Sequence, residues 1–283
     1  MQRSDRRLAA WLGGFVLFAL LLPSAGIAQN YSRIELMQAS TGLGDGQPLL
    51  LGIRIEPRPG WKTYWRAPGE SGLPPVFTFR VHDNMDVPEI KWPAPKRLML
   101  QGLESYGYDG PVIFPFHVQP RDTTRPIQIE VQVDYAVCMD ICVPEQAVLK
   151  LSLQPGPYGA TAQGDALLAA LARVPVQQTE DSFVRIETVI TGRNDKQVFL
   201  QVQASSASGF KKPDLFADGA AELLFGAPDI DYSSGRRQAV LRLLLVQLDP
   251  GQPINGQTIT LTLVDGDFAI EKQVKLADPV RTE

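Results

Sequence analysis

The stretch from residue 127 to residue 153, IQIEVQVDYAVCMDICVPEQAVLKLSL, decides the fold of the first half of the chain. Apolar and polar residues alternate up to Val137, and they alternate again after Pro144. Alternation with a period of two is typical of a β-strand that buries one face. Residues 139–141 separate the two runs, so the sequence predicts two strands joined by the tip of a hairpin or by one helical turn.

Both cysteines of the chain, Cys138 and Cys142, flank this bend. Four residues of extended strand separate two Cα atoms by about 13 Å, whereas a disulfide needs about 4.4 to 6.8 Å. The chain must therefore turn between the two cysteines if they are bonded. The predicted bend brings both sulfur atoms within bonding distance at a strand end.

A disulfide across so short a loop stabilises a fold weakly. Closing a loop of four or five residues restricts the unfolded chain by about 2 kcal/mol, against more than about 4 kcal/mol for a loop of 100 residues. A tight pair keeps both thiols in place when the bond is reduced, so the spacing favours redox exchange. Two alternatives stay open, an ordinary structural disulfide and a copper-tolerance site in which Cys138, Met139 and Cys142 bind Cu(I).

Two functional classes are disfavoured. A cysteine hydrolase needs a histidine to take the thiol proton, and the two histidines, His82 and His117, lie in strand-like contexts. Nucleic-acid-binding proteins usually carry a basic surface. Removing residues 1–28 takes away three Arg and one Asp from the 27 basic and 31 acidic side chains, which leaves 24 against 30 and a net charge of −6.

The first 28 residues have the features of a secretory signal peptide. Three arginines precede the apolar segment Leu8–Leu22, and the small residues Gly26 and Ala28 stand where signal peptidase cleaves. The apolar segment is short for a bilayer span, which disfavours the alternative of an N-terminal membrane anchor. We expect no membrane span in the mature chain, and an oxidising compartment in which two cysteines can form a disulfide.

The composition predicts an all-β fold. Pro and Gly, at 23 and 24 residues, separate short alternating runs, as in a β-sandwich. About 255 residues remain after the signal peptide, more than one compact domain usually holds, so two sandwiches are expected. The predicted strands are 32–36, 51–55, 76–81, 112–118, 127–137 and 147–153 in the first half, and 183–191, 198–203, 221–225, 239–248, 258–264 and 268–276 in the second.

A linker separates the two predicted sandwiches. Residues 29–154 form the first sandwich, residues 155–178 the linker, and residues 179–283 the second sandwich. The linker holds one persuasive helix, Asp165–Arg173, which Pro175 ends. The second half contains no Cys and no His, so we expect it to be a packing or docking module.

The cysteine-bearing stretch YAVCMDICVPEQAVLKLSL, residues 135–153, resembles the N-terminal periplasmic domain of the DsbD/ScsB-type thiol:disulfide interchange proteins. The upstream stretches GWKTYWRAPGESGLPP, residues 60–75, and ESYGY, residues 104–108, share this resemblance. It covers residues 31–154, and it extends more loosely to the second half. The resemblance implies two immunoglobulin-like sandwiches, the first of which carries an exchanging cysteine pair.

The resemblance also implies roles for individual residues. Cys138 and Cys142 would be the exchanging pair, with Cys142 as the residue that forms the mixed disulfide with a partner. The family covers its cysteines with an aromatic cap loop, and residues 104–108 resemble that loop. Tyr106 would then be the lid over the cysteines and Glu104 a nearby acid.

Further aromatic residues are candidates for the same face. Tyr108 belongs to the stretch that resembles the cap loop, and Trp61, Tyr64 and Trp65 belong to the upstream stretch. Aromatic walls would exclude stray thiols and offer a flat apolar surface to a docking partner. Packing of a strand in the core is the alternative for Trp61, Tyr64 and Trp65.

The expected function is thiol:disulfide exchange in the periplasm of a Gram-negative cell. The resemblance implies a membrane-embedded thiol reductase and periplasmic thioredoxin-like proteins as partners, with no organic cofactor and no metal. Family members continue into membrane spans and a thioredoxin domain, whereas this sequence stops at Glu283, and its C-x3-C spacing is shorter than in the best-known members. We therefore expect a separate membrane partner to supply electrons. Whether the chain is itself a protein-disulfide reductase stays open.

Overall fold

The computed structural model describes residues 30–81, 84–100, 102–195, 197–219, 223–247 and 253–281. The predicted signal peptide and His82 lie outside the described residues. Within the described ranges, none of the helical structure is long and apolar enough to cross a membrane.

The first half of the chain forms a sandwich of two sheets. Within the described residues its strands are β1 (Ser32–Gln38), β2 (Leu49–Pro57), β3 (Lys62–Gly69), β4 (Val76–Val81), β5 (Lys96–Leu100), β6 (Leu103–Tyr108), β7 (Val112–Val118), β8 (Ile127–Cys138) and β9 (Cys142–Leu153). One sheet has the order β1-β2-β7, and the other has the order β4-β8-β3-β6-β5. β9 pairs with β8 in addition, so β8 is an interior strand with partners on both sides.

β8 shows why the alternating sequence forms this sheet. Ile127 and Ile129 are at most 2% exposed, and Val131 and Val133 are fully buried, so one face of the strand enters the core between the two sheets. This burial of apolar side chains is the main stabilising term. The register runs without a shift from Ile127 opposite Leu153 to the two cysteines opposite each other. The hairpin therefore delivers both cysteines to one end of the sheet.

The helix α1 (Gly164–Ala172) packs on the outer face of the sheet formed by β1, β2 and β7. Leu167 is fully buried against this sheet. Gly52 makes room for it, because a Cβ at that position would lie 2.6 Å from Leu167 Cδ2. The backbone N–H of Ala94 donates to the carbonyl of Arg173, and Gln38 N–H donates to Gln163 Oε1. The segment predicted to be a linker is thus attached to the first sandwich along much of its length.

The second half forms another sandwich. Within the described residues its strands are β10 (Val176–Gln177), β11 (Val184–Arg193), β12 (Val198–Ser206), β13 (Pro213–Asp218), β14 (Leu224–Ser233), β15 (Gln238–Gln247), β16 (Thr258–Asp265), β17 (Phe268–Lys275) and β18 (Val280–Arg281). One sheet has the order β10-β17-β16-β13, and the other has the order β14-β15-β12-β11-β18. The all-β prediction with immunoglobulin-like sandwiches is confirmed.

The two sandwiches share a packed interface. Phe216 of β13 is 1% exposed and belongs to the core of the first sandwich, where its ring meets Trp65 at 6.0 Å and Tyr106 at 5.1 Å between centroids. Arg66 of β3 donates to Asp218 at 2.6 Å and to a carboxylate oxygen of Glu271 at 2.7 Å. Partly buried arginine–carboxylate pairs of this kind fix orientation as well as adding stability. The two sandwiches are therefore joined by side chains, not only by the connecting chain.

Candidate functional site

Cys138 and Cys142 form a disulfide at the end of the β8–β9 hairpin. Their sulfur atoms are 2.14 Å apart and their Cα atoms 4.1 Å apart. The N–H of Met139 donates to the carbonyl of Ile141 at 3.1 Å, which closes the three-residue bend. Of the two predicted geometries, the tip of a hairpin is the one observed.

The two cysteines differ sharply in exposure. Cys138 is fully buried, because β9 pairs with β8 on one side and Lys62 of β3 is its partner on the other. Cys142 is exposed, because it begins β9, which pairs only with β8 among the described strands. The bond therefore joins a cysteine that is shielded from solvent to one that is exposed at the surface.

Tyr64 of β3 is the tyrosine whose hydroxyl lies against the sulfurs. Its hydroxyl is 2.9 Å from Cys138 Sγ and 3.3 Å from Cys142 Sγ. The ring is 2% exposed and packs on the backbone of Gly72, where a Cβ would lie 2.2 Å from the ring. Burial raises the pKa of Tyr64, so the hydroxyl stays protonated near neutral pH and can donate to sulfur. Thr63 fixes the strand by donating to the carbonyl of Ala136 at 3.0 Å.

Apolar residues lie near the exposed Cys142. Met139 and Ile141, at the tip of the bend, are 40% and 61% exposed. Pro144 follows Cys142 by two residues and so projects from the same face of β9. Pro144 and the exposed Leu73 line a shallow depression of about 450 Å³ along this face. The surface next to Cys142 is thus suited to contact with another protein.

The β5–β6 hairpin packs against the cluster that contains the buried cysteine. Leu100 packs against the cluster formed by Tyr64, Ala136 and Cys138. Lys62 Nζ donates to the carbonyl of Met99 at 2.9 Å, which ties the end of β5 to β3. The sequence alone does not predict that Leu100 packs against this cluster or that Gly72 packs against the Tyr64 ring. A single leucine or glycine between turns fits many roles.

The structure gives Tyr106 and Glu104 a different place from the one predicted for a lid and its acid. Tyr106 is 2% exposed, and its hydroxyl donates to the carbonyl of Phe225 at 2.7 Å in the second sandwich. Burial raises the pKa of Tyr106 to about 12, with Arg97 opposing the shift and Glu104 adding to it. Glu104 pairs with Arg97 and lies 3.1 Å from the Tyr106 hydroxyl. Residues 104–108 lie in the strand β6 and not in a loop, because their backbone pairs with β5 and β3.

The other aromatic candidates are packing residues. Trp61 is 8% exposed and its ring meets the ring of Tyr31 at 4.3 Å. Tyr108 is 5% exposed and its hydroxyl donates to the carbonyl of Pro93 at 2.8 Å. Trp65 is fully buried beside Phe216. Of the aromatic residues singled out in the sequence, Tyr64 is the one that the structure brings to the sulfurs.

Two carboxylates near the disulfide, those of Asp134 and Glu145, accept hydrogen bonds from polar side chains. Asp134 accepts hydrogen bonds from Gln146 and Gln132, which lower its pKa. Glu145, on β9, accepts a hydrogen bond from Tyr135 at 2.8 Å. The described residues contain no cluster of three or more His, Cys, Asp or Glu side chains that could hold a metal ion. Within the disulfide the two sulfurs are bonded to each other, so they are not free thiolate ligands.

Two protein-family models match the chain. The model described as "Thiol:disulfide interchange protein DsbD, N-terminal" matches residues 35–154. A second model, described as a domain of unknown function (DUF8393), matches residues 173–279. The first match contains both cysteines and the strands β2 to β9. No curated protein sequence matches the chain significantly.

Among solved structures, the chain is similar to the N-terminal periplasmic domain of ScsB from Proteus mirabilis. The TM-score is 0.68 at 20% sequence identity, and the match covers 88% of this chain and 95% of that chain. The C-terminal domain of the AgI/II polypeptide BspA from Streptococcus agalactiae matches with a TM-score of 0.20 at 7% identity, over 87% of this chain and 100% of that chain. The latter score is too low to indicate a common fold.

Proposed function

We propose that this chain, whose residues 35–154 form a domain of the DsbD/ScsB N-terminal type, is a thiol:disulfide exchange module of the periplasm. The observation that carries the proposal is the pairing of a fully buried Cys138 with an exposed Cys142 at the end of one hairpin. A structural disulfide has no need of one accessible sulfur, whereas exchange begins by attack on, or by, a reachable sulfur.

Exchange would proceed through Cys142. In the reduced chain the Cys142 thiolate attacks a disulfide sulfur of the partner, a bond forms between the two proteins, and the partner's other sulfur leaves as a thiolate. The Cys138 thiolate then attacks Cys142 Sγ, the intramolecular disulfide forms, and the partner's second sulfur leaves. Two electrons pass to the partner, and the two protons of the Cys138 and Cys142 thiols pass to the partner's thiolates through solvent.

Tyr64 would assist this chemistry through its hydroxyl. A protonated hydroxyl at 2.9 and 3.3 Å from the two sulfurs can donate to whichever sulfur carries negative charge. Hydrogen bonding to the charged form favours that form, so the contact supports thiolate formation. Tyr64 can also serve as a packing residue of its strand, because its ring packs against Gly72. The packing role and the hydrogen bond to sulfur do not exclude each other.

The partners would be a membrane-embedded thiol reductase, which reduces the pair, and thioredoxin-like periplasmic proteins, which receive the electrons. The apolar surface of Met139, Ile141 and Leu73 around Cys142 suits a flat docking contact of this kind. Residues 1–28 would direct the chain to the periplasm as a signal peptide. The exchange needs no organic cofactor, because both steps use only sulfur atoms of the two proteins.

Trapping tests the proposal directly. Cys138→Ser removes the sulfur that resolves the mixed disulfide, so a partner stays bound to Cys142 when the reduced variant meets an oxidised thioredoxin-like protein. We expect a covalent complex on non-reducing gels, with Cys142 as the linked residue by mass spectrometry.

The matched control is Cys142→Ser, which keeps the buried thiol and should form no complex. An equal yield of complex from both variants would contradict the assignment of Cys142. An absence of complex from Cys138→Ser with every oxidised partner tested would instead favour an inert structural disulfide.

A further inference from the structure

We infer that the second sandwich is a positioning element for the redox site: it holds the β5–β6 hairpin so that Leu100 keeps Cys138 covered, and exchange is confined to the sulfur of Cys142. The inference rests on the proposed exchange function for its biological meaning. It gives the second sandwich, which has no cysteine of its own, a role in the chemistry of the first.

The β5–β6 hairpin lies at the edge of its sheet. β5 is the last strand of its sheet, and its backbone pairs with β6 alone among the described strands. β6 pairs with β3 at Tyr108, Gly107 and Ser105, with a shift in register between Tyr64 and Gly69 on the β3 side. An edge strand with a partner on one side only is displaced more easily than an interior strand.

Arg97 of β5 fastens the hairpin to the second sandwich. Its guanidinium donates to Asp214 of β13 at 2.8 Å and to the carbonyl of Leu215 at 3.0 Å. The same group lies 4.9 Å from the ring centroids of both Tyr106 and Phe216. The Arg97 side chain is only 15% exposed, so this charge-assisted contact is partly shielded from water.

The charge state of Arg97 is secure. Burial by itself would lower the pKa of the guanidinium, but its hydrogen bond and ion pair with Asp214 outweigh burial, and the net pKa is raised. The guanidinium of Arg97 therefore stays charged across the pH range in which proteins are folded. Tyr106 adds a second attachment, from β6 to the carbonyl of Phe225.

The other end of the same hairpin lies on the disulfide. Leu100 follows Arg97 by three residues and packs against the cluster that Tyr64, Ala136 and Cys138 form. Along a strand three residues span about 10 Å, so the attachment to Asp214 and the packing of Leu100 against the cluster around Cys138 lie on one short strand. A shift of this strand at Arg97 would move Leu100 and uncover the buried sulfur.

Alkylation of single thiols tests the inference. In a Cys142→Ser background Cys138 is the one thiol of the chain, and in a Cys138→Ser background Cys142 is. Asp214→Ala is added to each, and the initial rate of reaction with iodoacetamide is measured. We expect Cys138 to react about tenfold faster, because losing a charge-assisted hydrogen bond shifts an equilibrium on that scale. The rate of reaction at Cys142 should change less than about twofold.

Asp218→Ala is the matched control. Asp218 lies on the same strand as Asp214 and also accepts from an arginine across the interface, but that arginine is Arg66 of β3, outside the hairpin. We expect this variant to leave both thiol rates within about twofold of their starting values. Amide hydrogen exchange in residues 96–100 and 103–108 should rise in Asp214→Ala and not in Asp218→Ala.

A folded Asp214→Ala chain with an unchanged rate at Cys138 would overturn the inference, and so would an equal rise in Asp218→Ala. If Asp214→Ala does not fold, Arg97→Lys retains the charge but loses the planar fork, and a rise at Cys138 is still expected. Iodoacetamide needs no protein partner. A failure of the trapping experiment would therefore contradict the proposed function but would not determine the result of the alkylation experiment.

Discussion

Two of the long hairpins in the molecule have ends that are held in different ways. In the first sandwich, β8 and β9 end in a three-residue bend closed by the disulfide. In the second, β14 and β15 end in a turn at residues 234–237, where Ser234, Gly235 and Arg236 all have positive φ. Arg236 secures this turn by donating to the carbonyls of Phe210 and Lys211, both at 2.8 Å.

The difference shows that a hairpin end in this fold can be fixed without a covalent bond. Each hairpin has one interior strand and one edge strand, β8 with β9 and β15 with β14. The second holds its end with a guanidinium above the Tyr232 ring at 3.9 Å and with backbone geometry. The first hairpin uses a disulfide, which can be broken and remade. This supports the proposal that the cysteines serve thiol:disulfide exchange.

Reduction of the Cys138–Cys142 bond is the test of this comparison with the largest expected effect. Because the closed loop is so short, we expect reduction to lower the free energy of unfolding by only about 2 kcal/mol. Urea denaturation with and without dithiothreitol measures the difference. A Cys138→Ser, Cys142→Ser double variant should not respond to the reductant. A loss well above about 4 kcal/mol, the scale of a long-loop bridge, would mark the bond as a structural staple.

Arg236→Ala addresses the other hairpin. The variant loses two hydrogen bonds and the contact with the Tyr232 ring at an exposed turn, so we expect a loss of about 1 kcal/mol in the free energy of unfolding. Urea denaturation is again the measurement, and the neighbouring Arg237→Ala is the control. Thiol reactivity at Cys142 should stay unchanged in both. A change in thiol reactivity would show that the two hairpin ends are coupled.

Tyr64→Phe has the smallest expected effect. The variant removes the hydroxyl that lies against both sulfurs, so the thiolate loses a donor and the pKa of the Cys142 thiol should rise by about half a unit. The pH dependence of alkylation in a Cys138→Ser background measures this value. Tyr108→Phe removes another buried hydroxyl, one that donates to the carbonyl of Pro93, and should leave the pKa of the Cys142 thiol in place. A lower pKa in Tyr64→Phe would contradict a donating hydroxyl.

Local patterns predicted the parts of the fold that depend on local sequence. The alternation at 127–137 and 147–153 corresponds to the observed strands β8 and β9, and the predicted helix 165–173 lies within one residue of α1 at each end. The turn between the cysteines follows from distance alone. Features of this kind are set by neighbours in sequence, so periodicity and geometry suffice to predict them.

The strands that surround the disulfide were harder to predict. β5 and β6 lack clean alternation, and Tyr106 is buried by contacts that include Phe225, 119 residues further along the chain. Such burial depends on the second sandwich and leaves no local pattern. The same applies to Leu100, which packs against the cluster of Tyr64 and Cys138 only after the sheet has formed.

The fit of Leu167 over Gly52 bears on how the domain can be studied in isolation. The matched family region stops at residue 154, and a polypeptide cut there would lose α1 and leave Met37 and Ala39, which cluster with Leu167, open to water. A fragment that bears the disulfide should therefore extend beyond Arg173. Shorter fragments should be prone to aggregation through this uncovered face.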